Sequence, residues 1–169
     1  MKLIVADSGP LIAWACSGHI DVLQAIFPEV LIPETVFVEC TANTVLPGAQ
    51  AIAAAVVAGK LQRIPDAPLG VFENLLNVDP GEAAVLALAR ERAAAVLMDD
   101  AMGREVARAH GIPIVGACGI LLKAKQVGLI EAVGPVLQSW KTRIGYHLSE
   151  TLVIEVLHRA GEVGTPRPE

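Results

Sequence analysis

Apolar residues in this chain gather in short runs without alternation, separated by longer stretches of helical periodicity. The first run, Leu3-Ile4-Val5-Ala6, is stopped at once by Asp7-Ser8-Gly9-Pro10. Four consecutive apolar residues bounded by turn formers predict a short strand buried on both faces. A helix is expected directly after it, capped by Ser8 or Gly9, with Pro10 at its first position, where the N–H has no partner anyway. Runs at 30–33, 94–98 and 112–115 read in the same way, while 61–64 fits either an edge strand or a loop. Between them the pattern predicts helices over 19–27, from Pro33 onward with Val36 and Cys40 facing the core, and over 47–58 with Gly59 as terminator. Others are expected over 79–92, 101–110, 119–126, 133–142 and 149–160, with one short helix at 71–76 inside the irregular stretch 65–80. Strands alternating with helices imply a parallel sheet, whose carboxyl ends share one edge where ligands bind.

Acidic residues recur at that edge. Asp7 follows the first strand, and Asp99-Asp100 follow the run 94–98 in the same arrangement. One of the pair caps the helix that comes next; capping accounts for one aspartate and not for two. Asp79-Pro80-Gly81-Glu82 has the capping-box spacing, which by itself explains Glu82. Glu39 lies beside the core stripe of its helix, where a solvated surface glutamate is the ordinary reading. Arg104 and Arg108 are four apart and share a helix face.

Composition narrows the choices. The 169 residues are enough for one domain with a sizeable core, expected over 1–160, with a mobile tail over 161–169 that carries glycine and proline. Apolar residues make up 53% and aromatics 4%, so the core is aliphatic and the surplus suggests a dimer face. No apolar run approaches the roughly 20 residues of a membrane span, and Asp7 interrupts the first run too early for a secretory signal. Cys16, Cys40 and Cys118 are isolated, as buried thiols of a reducing cytoplasm would be; neither a disulfide nor a structural zinc is expected. A net charge of −5 argues against a broad nucleic-acid-binding surface but leaves room for local patches. His19, His110, His147 and His158 lack metal-ligand spacing and read as structural or surface residues. Phosphate-loop, dinucleotide-binding and serine-hydrolase motifs are missing from the sequence.

If Asp7, Glu82, Asp99, Asp100 and Glu39 converge, they cannot all stay ionised within about 4–6 Å of one another without a cation. Carboxylate oxygens favour a hard ion, Mg²⁺ or Mn²⁺, and such ions suit phosphodiester hydrolysis. With Glu39 in the helix after Ile32-Pro33, the segments Ile4-Val5-Ala6-Asp7-Ser8-Gly9-Pro10, Asp79-Pro80-Gly81-Glu82-Ala83-Ala84 and Leu97-Met98-Asp99-Asp100 resemble the four acidic positions of PIN-domain nucleases. The segments Gly116-Ala117-Cys118-Gly119-Ile120-Leu121-Leu122 and Gly128-Leu129-Ile130 resemble a prokaryotic PIN subfamily related to VapC toxins. The resemblance covers 1–160 and implies a three-layer α/β/α fold with a mostly parallel central sheet and cytoplasmic, Mg²⁺- or Mn²⁺-dependent RNA cleavage. It further implies frequent homodimers and often an antitoxin partner. Carried over, Asp7, Glu39 and Glu82 would ligate metal or orient its water, Asp99 or Asp100 would complete the set, Ser8 would support them, and Arg104 would meet a substrate phosphate or pair with the acids. Many PIN domains have Asp where Glu82 stands. Two other readings stay open: a catalytically idle PIN-like module that binds RNA or protein, and a receiver-like phosphorelay domain, whose paired acids should follow the first strand.

Overall fold

In a computed structural model of the chain, which describes residues 2–162, the apolar runs pair side by side as parallel strands. They are β1 (Leu3–Ala6), β2 (Glu29–Pro33), β3 (Gln62–Ile64), β4 (Ala95–Leu97) and β5 (Ile114–Val115), in the spatial order β3-β2-β1-β4-β5. Ile4 lies opposite Val30 on one side and Ala95 on the other. Ile4, Val5, Ala6, Val96 and Leu97 are fully buried, which explains why these runs show no polar alternation. The segment 61–64, open between strand and loop from its pattern, supplies the edge strand β3. There Arg63 lies over the Phe37 ring at 4.1 Å and forks onto Glu34, blunting the edge with charge.

This order has a consequence for function. The chain steps outward from β1 to β3, then returns to place β4 against the other side of β1 before moving on to β5. The strand order therefore reverses between β1 and β4, and in open α/β sheets such a switch point opens a crevice at the carboxyl ends. The Asp7 amide donates to the Leu97 carbonyl at 3.0 Å, so the ends of β1 and β4 are tied together at that crevice. The order is also not the 2-1-3-4-5 of receiver-type folds, so the phosphorelay reading falls.

Helices α1 (Ser8–Cys16), α2 (Ile20–Ile26), α3 (Glu34–Thr41), α4 (Pro47–Val57), α5 (Pro80–Arg92), α6 (Ala101–Ala109), α7 (Ala117–Gln126), α8 (Gly134–Ser139) and α9 (Glu150–Arg159) complete the three-layer α/β/α arrangement. Residues 83–89 of α5 are buried on every side, against β1, β2, β4 and α3. Only small and aliphatic side chains tolerate that enclosure. Fully buried Trp14 and Trp140 stand edge to face, with ring centroids 5.5 Å apart.

Several boundaries differ from expectation. Helix α1 starts at Ser8, so its cap is Asp7 and not Ser8 or Gly9. Helix α7 begins at Ala117, two residues ahead of Gly119. The helix expected over 133–142 closes at Ser139 and widens into a π turn, Trp140–Ile144, ended by Gly145 in the left-handed region. In place of a helix at 71–76 there is a 3₁₀ turn, Gly70–Phe72, because Asn74 and Asn77 both take positive φ. At the start of the expected mobile tail, the Glu162 carboxylate accepts the Val133 and Gly134 amides and pairs with Lys125. The remainder of that segment, 163–169, lies outside the described residues.

Candidate functional site

Asp7 leaves β1 into the crevice and is 6% exposed. Its carboxylate accepts the Ser8 amide at 2.9 Å. Burial pushes its pKa up to about 7, against the pull of that amide; Glu82, Asp79 and Glu39 nearby push in the same direction as burial. Glu82, 7% exposed, is the other buried charged side chain among the described residues. The predicted capping box holds it: Glu82 N–H donates to Asp79 at 2.8 Å, and the Glu82 carboxylate accepts the Asp79 N–H at 3.0 Å. Its pKa is also raised, by burial first and then by Asp79 and Asp100. The two buried acids thus belong to chain segments about half the chain apart, and Glu82 adds to the upward push on Asp7.

Glu39 is exposed and accepts the Ser8 hydroxyl at 3.2 Å. A Cβ on Gly81 would come within 2.7 Å of the Glu39 Oε2, so a residue without a side chain lets α3 and the start of α5 bring their acids together. Asp100 caps α6 through the Gly103 amide at 2.9 Å. With Asn77, Val78, Asp79, Glu82 and Met102 it lines an open cavity of about 400 Å³. Asp99 turns elsewhere. Its carboxylate accepts the Ala117 amide at 3.3 and 3.4 Å and the Tyr146 hydroxyl. Burial raises the Tyr146 pKa, and Asp99 raises it further, so the phenol stays a donor. Arg104 lies on the same flank: a Cβ on Gly116 would be 3.2 Å from Asp99 Oδ1 and 3.6 Å from Arg104 Nη1. The Arg104 Nε is buried without a hydrogen-bond partner.

The structure therefore gathers Asp7, Glu39, Glu82 and Asp100, with Asp99 and Arg104 on one flank. It corrects the capping argument for the aspartate pair, since each member serves a different helix start: Asp100 that of α6, Asp99 that of α7. The local sequence marks Asp79 as a cap and nothing more, and gives Tyr146 no role. Being the chain's lone tyrosine, just after a glycine, was its one distinguishing mark.

Among the described residues, no three His, Cys, Asp or Glu side chains stand close enough together to hold a metal ion as they lie. Asp7, Glu82, Asp99 and Asp100 each give at least one oxygen to a backbone amide. The donor chemistry nonetheless suits a hard divalent cation. Buried Asp7, held near neutrality by burial and by three further carboxylates, is a group whose ionisation such a cation would favour.

No helix among the described residues is long and apolar enough to cross a membrane. No curated protein matches the chain. The DUF3368 family model, described as a PIN domain, matches residues 3–162. That match takes in every strand of the sheet and all the acids gathered at its switch point, and the chain belongs to the PIN-domain family, with its nuclease-type fold.

Proposed function

We propose that this protein is a divalent-metal-dependent ribonuclease of the VapC-toxin-like type, hydrolysing RNA phosphodiester bonds. The observation that carries the proposal is the burial of Asp7 at the switch point, facing Glu82, Asp79 and Glu39. A buried carboxylate ringed by others is costly to keep in the ionised form unless a ligand compensates it. Asp7 and Glu82, with a member of the Asp99–Asp100 pair, would hold Mg²⁺ or Mn²⁺. When bound, the metal supplies an activated water and stabilises the leaving oxyanion.

The chain's own residues do the rest. The Ser8 hydroxyl holds Glu39 toward the crevice, and the capping box keeps Glu82 from swinging into solvent. Arg104, with its Nε unpartnered, offers a guanidinium to a substrate phosphate at the edge of the acids. The proposal extends to a cognate antitoxin and a homodimer. Exposed Val45, Leu46 and Val57 supply apolar surface for such contacts.

Incubation of the purified protein with single-stranded RNA tests this. Cleavage should require Mn²⁺ or Mg²⁺, stop on chelation, and fall by a factor of about 100 or more in Asp7→Asn. Equal cutting by Asp7→Asn refutes it.

One observation favours a second reading, a catalytically idle module that binds RNA or protein: the acids already spend oxygens on capping amides. RNA binding that chelator leaves untouched, with no cleavage, would establish that alternative.

A further inference from the structure

The two acids after β4 are adjacent in sequence but are held by different partners, and the difference centres on Tyr146. Asp100 lines the cavity shared by Asp79 and Glu82, whereas Asp99 accepts hydrogen bonds from the first amide of α7 and from the Tyr146 hydroxyl.

Tyr146 is braced from the core. Its ring stands edge to face against Trp140, centroids 5.6 Å apart, and Trp140 in turn meets Trp14 of α1. The Trp140 indole N–H donates to Ser17, and the Tyr146 amide returns to the Trp140 carbonyl at 3.0 Å, closing the π turn. Gly145, at a φ of 65°, turns the chain so that the tyrosine comes back over the strand ends. On the other side of the crevice a Cβ on Gly9 would lie 3.7 Å from Tyr146 Cε2, so the ring rests on the first turn of α1, two residues after Asp7. One side chain therefore touches the segment leaving β1 and hydrogen-bonds the segment leaving β4, across the point where the strand order reverses.

We propose that Tyr146 is a positioning residue of the acidic site: by holding Asp99 against α7 it fixes the backbone of 98–100 and so presents Asp100, and not Asp99, to the cavity with Glu82. This rests on the metal-dependent ribonuclease reading and assigns the two members of the doublet separate tasks. Asp99 is then an anchor whose value lies in accepting two hydrogen bonds. Its charge is secondary.

That distinction is measurable by Mn²⁺ titration calorimetry on the full chain, with RNA cleavage kinetics beside it. Tyr146→Phe removes one hydroxyl and keeps the ring that packs on Trp140. It should weaken Mn²⁺ binding by about tenfold and lower kcat while leaving KM for RNA unchanged. Asp99→Asn keeps an oxygen that accepts from Tyr146 and from Ala117, and should hold its Mn²⁺ affinity within about twofold of wild type. Asp99→Ala should behave like Tyr146→Phe, and the double variant should be no worse than either alone, because both break the same link. Unchanged Mn²⁺ affinity in Tyr146→Phe overturns the proposal by reducing the tyrosine to a packing role. Equal losses in Asp99→Asn and Asp99→Ala overturn it too, since they would make Asp99 a ligand. Absence of Mn²⁺ binding by the wild-type protein is a separate result, which removes the ribonuclease reading and this inference with it.

Discussion

Asp7 and Asp99 both follow the ends of neighbouring strands, Asp99 one position further along because Ala6 lies opposite Leu97 in the β1–β4 register, yet their surroundings are opposite. Asp7 has one protein donor, the Ser8 amide, and faces three carboxylates, so its proton is held up to about neutrality. Asp99 meets the start of a helix, a tyrosine hydroxyl and a nearby guanidinium. A short apolar strand followed by an aspartate is thus an incomplete description of an acid. What decides between a strained carboxylate and an anchored one is the set of donors and charges brought in from distant segments. The strained member is the one that stands to gain from a cation, and the anchored member keeps the crevice in shape.

This contrast predicts stability changes of opposite sign. The largest concerns Asp7. Because its pKa rises from 3.8 to about 7 on folding, the folded chain retains a proton that the unfolded chain gives up between those values. Stability therefore declines as pH rises across that window, by up to the order of 4 kcal/mol, and the full cost is present above it. Asp7→Asn removes the penalty. Thermal unfolding should show it more stable than wild type at pH 8 and nearly equal at pH 4; a pH-independent difference would refute this account.

Next in size is the response to metal. Mn²⁺ at about 100 times its Kd should stabilise the wild-type fold by roughly 2.7 kcal/mol, while Asp7→Asn should gain much less. A chelator titration followed by unfolding checks this, and equal stabilisation of both proteins would place the ion elsewhere.

The smallest effect is expected at the anchored acid. Asp99→Ala leaves the Ala117 amide and the Tyr146 hydroxyl without their acceptor, and should destabilise by about 1–2 kcal/mol in denaturant unfolding at pH 8, the pH at which Asp7→Asn gains. A stabilising Asp99→Ala would erase the contrast.

Much of this was legible along the chain because its causes act over a few residues. Strands Leu3–Ala6 and Ala95–Leu97 follow from apolar runs, and the Asp79–Glu82 capping box closes between residues three apart. The family resemblance at the acidic positions agrees with the match over 3–162. What the local pattern missed depended on conformations or partners it does not encode. Positive φ at Asn74 and Asn77 undid a helix that periodicity alone supports. At the π turn after Ser139, buried Trp140 donates to Ser17, which lies 123 residues away in the sequence.

The one-dimensional pattern was thus sufficient for the alternation of strands and helices and the acidic residues at their ends, while the family came from the resemblance of short motifs. It was silent on the strand order that sets β4 beside β1, on the burial of Asp7 against Glu82, and on the partnership of Asp99 with Tyr146. Hydrophobic periodicity and capping are set by neighbours within a turn or two, whereas the charge environment of a carboxylate is set by whatever the crossovers of the sheet bring within a few ångströms of it.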